Sequence, residues 1–245
     1  MKNLFEQSRS HWVRYDHYEL KTAKDGKRYI TPGKDAKPEV YNPLKVVPDI
    51  VLDALNVGML MMGRKPAAEV ERAVLEFVTR YGLLGMMTAL PTTPAFMDEL
   101  MAKTMSFQRQ YAEPYDWVAQ QFKDWSFTLT TSILYYQDCR LMDQDARELY
   151  QKAMAAFGGI VPSYHIELLD KPTIYWDFHS LLLGIQMMFS FMLVDEEHPL
   201  RLCKNCQKVF LGSHVNTTFC SPQCKNQYNV HKNREKAKGK SEENE

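Results

Sequence analysis

Cys203 and Cys206 stand two residues apart, and after thirteen more residues Cys220 and Cys224 stand three apart. Thiolates are soft ligands, and four of them brought together suit a tetrahedral, structural Zn²⁺. Clustering of four of the five cysteines in the last fifth of the chain favours metal over disulfides. The first pair is followed by Val209-Phe210, a small apolar plug. The second pair brackets Ser221-Pro222, a helix cap and first-turn signal. Cys220 is therefore expected just before a helix and Cys224 in its first turn, where free backbone N–H groups and the helix dipole favour a thiolate. A knuckle hairpin followed by such a helix is a treble-clef arrangement. A module this small buries too little surface to fold alone, so metal binding is expected to supply its stability. His214 and His231 are surplus to a tetrahedron of four sulfurs and read as surface histidines.

Charge singles out the same end. Net charge is zero over 245 residues. Between Arg201 and Lys240 the bases are Arg201, Lys204, Lys208, Lys225, Lys232, Arg234, Lys236, Lys238 and Lys240, against the single acid Glu235. The first 200 residues are correspondingly acidic. Such asymmetry points the basic end at phosphates or an acidic protein. The stretch Lys225 to Asn233 adds Asn226, Gln227, Asn229 and Asn233, amides able to read base edges.

Catalytic chemistry is not expected. His165-Ile166-Glu167 ahead of Cys203-x2-Cys206 has the outline of a zinc deaminase signature. Leu202 stands where that signature has proline, His165 falls in a strand-like alternation, and Cys220 and Cys224 would be left without a role. Four thiolates also leave zinc no open position for water. Asp177 with His179, and Asp16 with His17, have no recognisable catalytic spacing, and Cys139 reads as a packing residue. The polar segment Met1 to His11 is expected to carry no secretory leader, and the longest apolar run, Leu181 to Val194, is too short to span a bilayer. A cytoplasmic protein is the expectation.

These residues need elements to hold them. Trp12, Val13, Tyr15 and Tyr18 with the Asp25-Gly26 turn predict a β-hairpin near 11–30, followed by a proline-rich arm to Pro48. Helical spacing then predicts helices from Pro48 to Met62, from Pro66 to a Gly82 cap, through Met97 to Met105, from Pro114 through Trp125, from Asp143 to Phe157, and from Phe178 to Val194. Residues 127–142 fit helix or strand, because Thr128, Thr130, Thr131 and Ile133 disfavour helix. A second hairpin is expected near 164–176, turning at Asp170-Lys171-Pro172. The expected fold is mainly α (α+β): a helical domain with short hairpins over 1–198, a four-cysteine zinc finger over 199–235, and a polar, disordered tail over 236–245. The many methionines, Met59, Met61, Met62, Met187 and Met188 among them, suit core filler or an adaptable surface.

From Phe178 to Lys236 the chain resembles the CGNR zinc-finger family. The matching features, in order, are an apolar helix through Leu181 to Val194, Leu200-Arg201-Leu202-Cys203, Cys206, Val209-Phe210-Leu211, Phe219-Cys220-Ser221, Cys224 with Asn226 after it, and a basic helix through Lys232 and Arg234. The motif that gives the family its name appears here as Cys224-Lys225-Asn226-Gln227. The resemblance implies a transcriptional regulator that binds DNA.

The expected function is therefore nucleic-acid binding, DNA first and RNA as the alternative, through Lys225, Asn226, Lys232, Arg234 and Lys236. The stretch Gly212 to Thr218 lacks the arginines such fingers carry there, so one copy should bind weakly and a homodimer is expected. The competing reading is a protein-interaction or ligand-binding module in which zinc only clips the C-terminus.

Overall fold

The computed structural model describes residues 8–24, 26–63, 65–85, 112–138, 141–155, 163–168, 170–178, 180–214 and 216–242. The fold is mixed α and β, with six helices and several small sheets among the described residues. None of those helices is long and apolar enough to cross a membrane. Two compact units emerge, Met1–Thr128 with Phe157–Phe191, and Leu129–Ala156 with Met192–Glu245. The segment 129–156 groups with the C-terminal residues from Met192.

The first unit begins with β1 (Ser8–Arg9) and β2 (Trp12–Tyr15), then β3 (Tyr18–Thr22) and β4 (Arg28–Pro32). The first expected hairpin is shifted. β3 pairs with β4, Leu20 opposite Ile30, and Gly26 takes a left-handed φ of 79° in the turn. β2 pairs instead with β5 (Pro38–Tyr41), inside the stretch expected to be a loop or extended arm. Val40 opposite Val13 and Tyr41 opposite Trp12 give that pairing its side-chain contacts. Prolines at 38 and 43 merely bracket the strand, where a missing N–H is tolerated. β6 (Glu113–Pro114) adds to the β4 edge.

α1 (Asp49–Met62) and α2 (Ala67–Tyr81) follow the apolar spacing closely. Ile50, Val51, Ala54 and Leu55 of α1 and Val74, Phe77, Val78 and Tyr81 of α2 are buried. Gly82 ends α2 at φ 91°, its N–H donating to the Val78 carbonyl, and a Cβ there would stand 2.6 Å from the Val13 carbonyl oxygen. α3 (Tyr115–Asp138) resolves the ambiguity as helix over 127–138, and Leu141 and Met142 lie in a turn ahead of the next helix. Thr128 turns its hydroxyl onto the Asp124 carbonyl at 3.0 Å, and Leu129 and Ile133 are fully buried, so packing outweighs the β-branched propensity. Where α1 meets α3, a Cβ on Gly58 would collide with the Ser126 side chain and the Phe122 carbonyl.

α4 (Gln144–Ala155) is capped by Asp143, which accepts the Ala146 N–H at 2.8 Å. β7 (Ser163–Leu168) and β8 (Pro172–Asp177) form the second expected hairpin, and β1 adds in parallel to β8. α5 (Leu181–Leu193) is the expected apolar helix, with the Ser180 hydroxyl accepting the Leu183 N–H. The expected helix through Met97 to Met105, Cys139, His179 and the stop at Gly158-Gly159 lie outside the described residues.

Candidate metal centre and its exposed helix

The C-terminal module starts with β9 (Leu200–Leu202) and β10 (Val209–Leu211), antiparallel with Val209 opposite Leu202 and Leu211 opposite Leu200. Cys203 is the first residue beyond β9 and is fully buried. Its N–H donates to the Lys208 carbonyl at 2.9 Å, and its carbonyl accepts the Gln207 N–H at 3.0 Å. That tight turn needs Gln207 at φ 60°, the left-handed region a side chain disfavours. The Lys204 N–H reaches the Thr218 carbonyl at 3.1 Å, tying the knuckle to the segment that delivers Cys220. α6 (Pro222–Glu242) then starts as expected: the Ser221 hydroxyl accepts the Cys224 N–H at 3.2 Å, with proline in the first position.

These local structures bring the four expected sulfurs together. Cys206 and Cys220 Sγ lie 3.6 Å apart, Cys220 and Cys224 Sγ 3.5 Å apart, and all four sulfurs fall within 4.8 Å of one another. A disulfide needs about 2.05 Å, and all four thiols are free. Sulfurs about 2.3 Å from a tetrahedral metal stand roughly 3.8 Å apart, so the cluster has the dimensions to hold a metal ion. The four thiols differ in their electrostatics. Burial pushes the Cys203 thiol up, but backbone N–H groups of Cys206, Cys220 and Asn205 outweigh burial and hold it at about 6. Burial and the neighbouring sulfurs of Cys224, Cys206 and Cys203 push Cys220 up to about 12. Burial raises Cys206, while hydrogen bonds from Ser221 and Cys220 lower Cys224. Protein groups alone thus stabilise some of the four thiolates and penalise others. A cation held at the centre would favour the ionised form of all four.

His214 and His231 are exposed and do not join the cluster. His165 does not either. It lies in β7, in the other compact unit, its Nδ1 2.8 Å from Asp177 Oδ2. The acids and histidine at 195–198 make a turn, in which Asp195 accepts the N–H groups of Glu197 and His198.

α6 is exposed on nearly every side over 222–235. Only Cys224 and Tyr228 are half-covered, and the Tyr228 ring tilts against Phe219 at 5.3 Å. Lys225, Asn226, Lys232 and Arg234 all face water, and none of the three cations has an acidic partner among the described residues. At 3.6 residues per turn, Lys225 and Lys232 fall within roughly 20° of each other, with Asn229 and Asn233 alongside. Arg234 lies about half a turn from Lys225, on the opposite side of the helix. The expected set is thus two groups. Lys236 belongs to the helix, which continues to Glu242 through residues expected to be irregular; its side chain is outside the described residues. Lysine, glutamate and alanine in that stretch are all good helix formers.

Two features of the module escaped sequence reasoning. Asn205 Nδ2 donates to Gln227 Oε1 at 3.1 Å, joining the knuckle to α6, and the Asn226 side chain makes no hydrogen bond among the described residues. No spacing rule signals such a link between two exposed amides.

No family model, no curated protein and no solved structure matches this chain.

Proposed function

We propose that the four cysteines hold one structural Zn²⁺ in a treble-clef finger, and that the protein binds nucleic acid through α6, as a CGNR-type, DNA-binding transcriptional regulator. The observation that carries the reading is the exposure of α6. A helix that merely clipped the C-terminus to a larger body would bury a face; this one leaves Val230 48% exposed, and Lys225, Lys232 and Arg234 have no acidic partner among the described residues. Lys225 and Lys232 make a basic strip with Asn229 and Asn233 alongside, a pattern of phosphate contacts beside amides that read base edges. Zinc has a purely structural part, because four thiolates complete its tetrahedron and exclude water.

The test is a titration of the full chain, zinc confirmed by elemental analysis, against random and enriched duplexes at low salt. Binding that falls steeply as salt rises supports the proposal. No binding at micromolar protein with zinc present overturns it and returns the finger to a role in protein interaction.

A further inference from the structure

The β7–β8 hairpin carries its two faces the wrong way round for a water-soluble sheet. One face bears His165, Glu167, Thr173, Tyr175 and Asp177, and this is the covered one: Thr173 and Tyr175 are 6% and 3% exposed. Tyr175 is stacked between His11 and His165, with centroids at 5.5 Å on each side. The other face pairs Tyr164 with Trp176, Ile166 with Ile174, and Leu168 with Pro172. Tyr164, Ile166 and Leu168 are 61%, 63% and 81% exposed. An antiparallel hairpin with one solvated face ordinarily turns its apolar row inward. Here the polar row is inward, and Tyr164, Ile166, Leu168 and Ile174 of the apolar row stand exposed beside a half-buried Trp176.

We propose that this apolar face is the contact between two copies of the chain, packed sheet against sheet about a two-fold axis. The row holds no charge, which leaves nothing to recognise a phosphate backbone or a charged peptide. A flat apolar row is its own complement under two-fold symmetry. Pairing along the β7 edge would extend the sheet but leave the row in water, whereas facing sheets about 10 Å apart remove it from water. Scaling each exposed fraction to its full side chain gives roughly 500 Å² of apolar surface per copy, at the upper end of what lone soluble proteins expose. Two copies bury roughly 1,000 Å² before any rim contact, the lower bound for a specific interface. The dimer should accordingly dissociate in the micromolar range. It lies wholly in the first compact unit and does not depend on the finger binding zinc or nucleic acid.

The experiment is sedimentation equilibrium of the full zinc-loaded chain from about 1 to 100 µM. The expected result is a reversible monomer–dimer equilibrium. Ile166→Glu places a charge at the centre of the row and should weaken association at least roughly 100-fold. Ile166→Thr keeps a β-branched residue in the strand and should weaken it roughly tenfold, so a conclusion survives if the glutamate variant fails to fold by circular dichroism. Lys171→Ala at the hairpin turn and removal of zinc by a chelator should both leave the dimer intact. A wild-type chain monomeric at the highest concentration overturns the proposal. So does a folded Ile166→Thr that associates as tightly as wild type, or a dimer that dissolves on chelation.

Discussion

Trp12, Ile30, Ile50, Leu55, Phe77 and Phe122 of the first unit are withdrawn almost completely from water. Between Pro199 and Glu235 the buried side chains among the described residues are Leu200, Arg201, Cys203 and Val209. The first unit has many apolar side chains to set against the entropy of ordering its chain, while the C-terminal module has two, Leu200 and Val209, and a cluster of sulfurs. Apolar burial tolerates the loss of one contact because many others remain. A metal centre concentrates stability in four bonds, and a structural zinc contributes on the order of 10 kcal/mol. The two regions should therefore fail in different ways, and the largest test breaks the metal. Cys220→Ser, or chelation, should abolish amide exchange protection from Leu202 onward while leaving β2 to β5, α1 and α2 protected. Hydrogen exchange read by mass spectrometry checks this, and elemental analysis should find one zinc per chain before and none after. Whether residues 129–156 lose protection with the finger is the sharper readout, because they group with it. Cooperative loss of the whole fold would mean that the difference between the regions is not real.

The converse break is in the core of the first unit. Phe122 is fully buried, and its ring meets Phe77 edge to face at 5.0 Å. Phe122→Ala should cost about 3–5 kcal/mol in denaturant unfolding. Gly58→Ala tests the same core by overpacking, since its Cβ meets Ser126 and the Phe122 carbonyl. A cost of about 1–3 kcal/mol is expected, smaller because α1 can shift. Neither substitution should change zinc content. Loss of metal in either variant would show that the finger depends on the first unit.

The finger was more legible in the sequence than the domain before it, for a physical reason. Metal ligation requires particular residues at short spacings, and Cys203, Cys206, Cys220 and Cys224 declare themselves, as do Ser221 and Pro222 at the helix start. Helices α1, α2 and α5 were equally plain from apolar periodicity. Strand partners were not. β2 is separated from β5 by a complete hairpin, and choosing between β3 and β5 for its neighbour depends on non-local contacts that period-two alternation does not encode. The Glu113 carboxylate was invisible for the same reason: fully buried, it accepts the N–H groups of Leu84 and Gly85 at 3.0 and 2.7 Å across 28 and more residues of chain.

A smaller effect separates the two sides of α6. If Lys225 and Lys232 share a strip on the nucleic acid, replacing both by alanine should reduce the log–log salt slope by about 1.8 on duplex DNA, near half of the roughly −3.6 expected for four phosphates. Arg234→Ala, half a turn away, should change the slope by less than one phosphate's worth. Equal losses from both would mean that the helix engages its partner on more than one side.

The smallest effect tests how far the metal alone holds the finger. Asn205 and Gln227 hydrogen-bond at 3.1 Å beside the cysteines, Asn205 lying between two ligands and Gln227 one turn beyond Cys224. Both are accessible to water, so breaking the bond exchanges it for hydrogen bonds to solvent and should cost about 0.5–1 kcal/mol. Zinc affinity should then fall by a factor of about 2 to 5 in Gln227→Ala, measured by competition with a chromophoric chelator. The Asn226 side chain is exposed and makes no hydrogen bond among the described residues. Asn226→Ala should leave zinc affinity unchanged and alter binding only through sequence preference on duplex DNA. If Asn226→Ala loosened the metal while Gln227→Ala did not, the amide holding the knuckle to the helix would have been assigned to the wrong neighbour, and Asn226 would pass from reading bases to stabilising the finger.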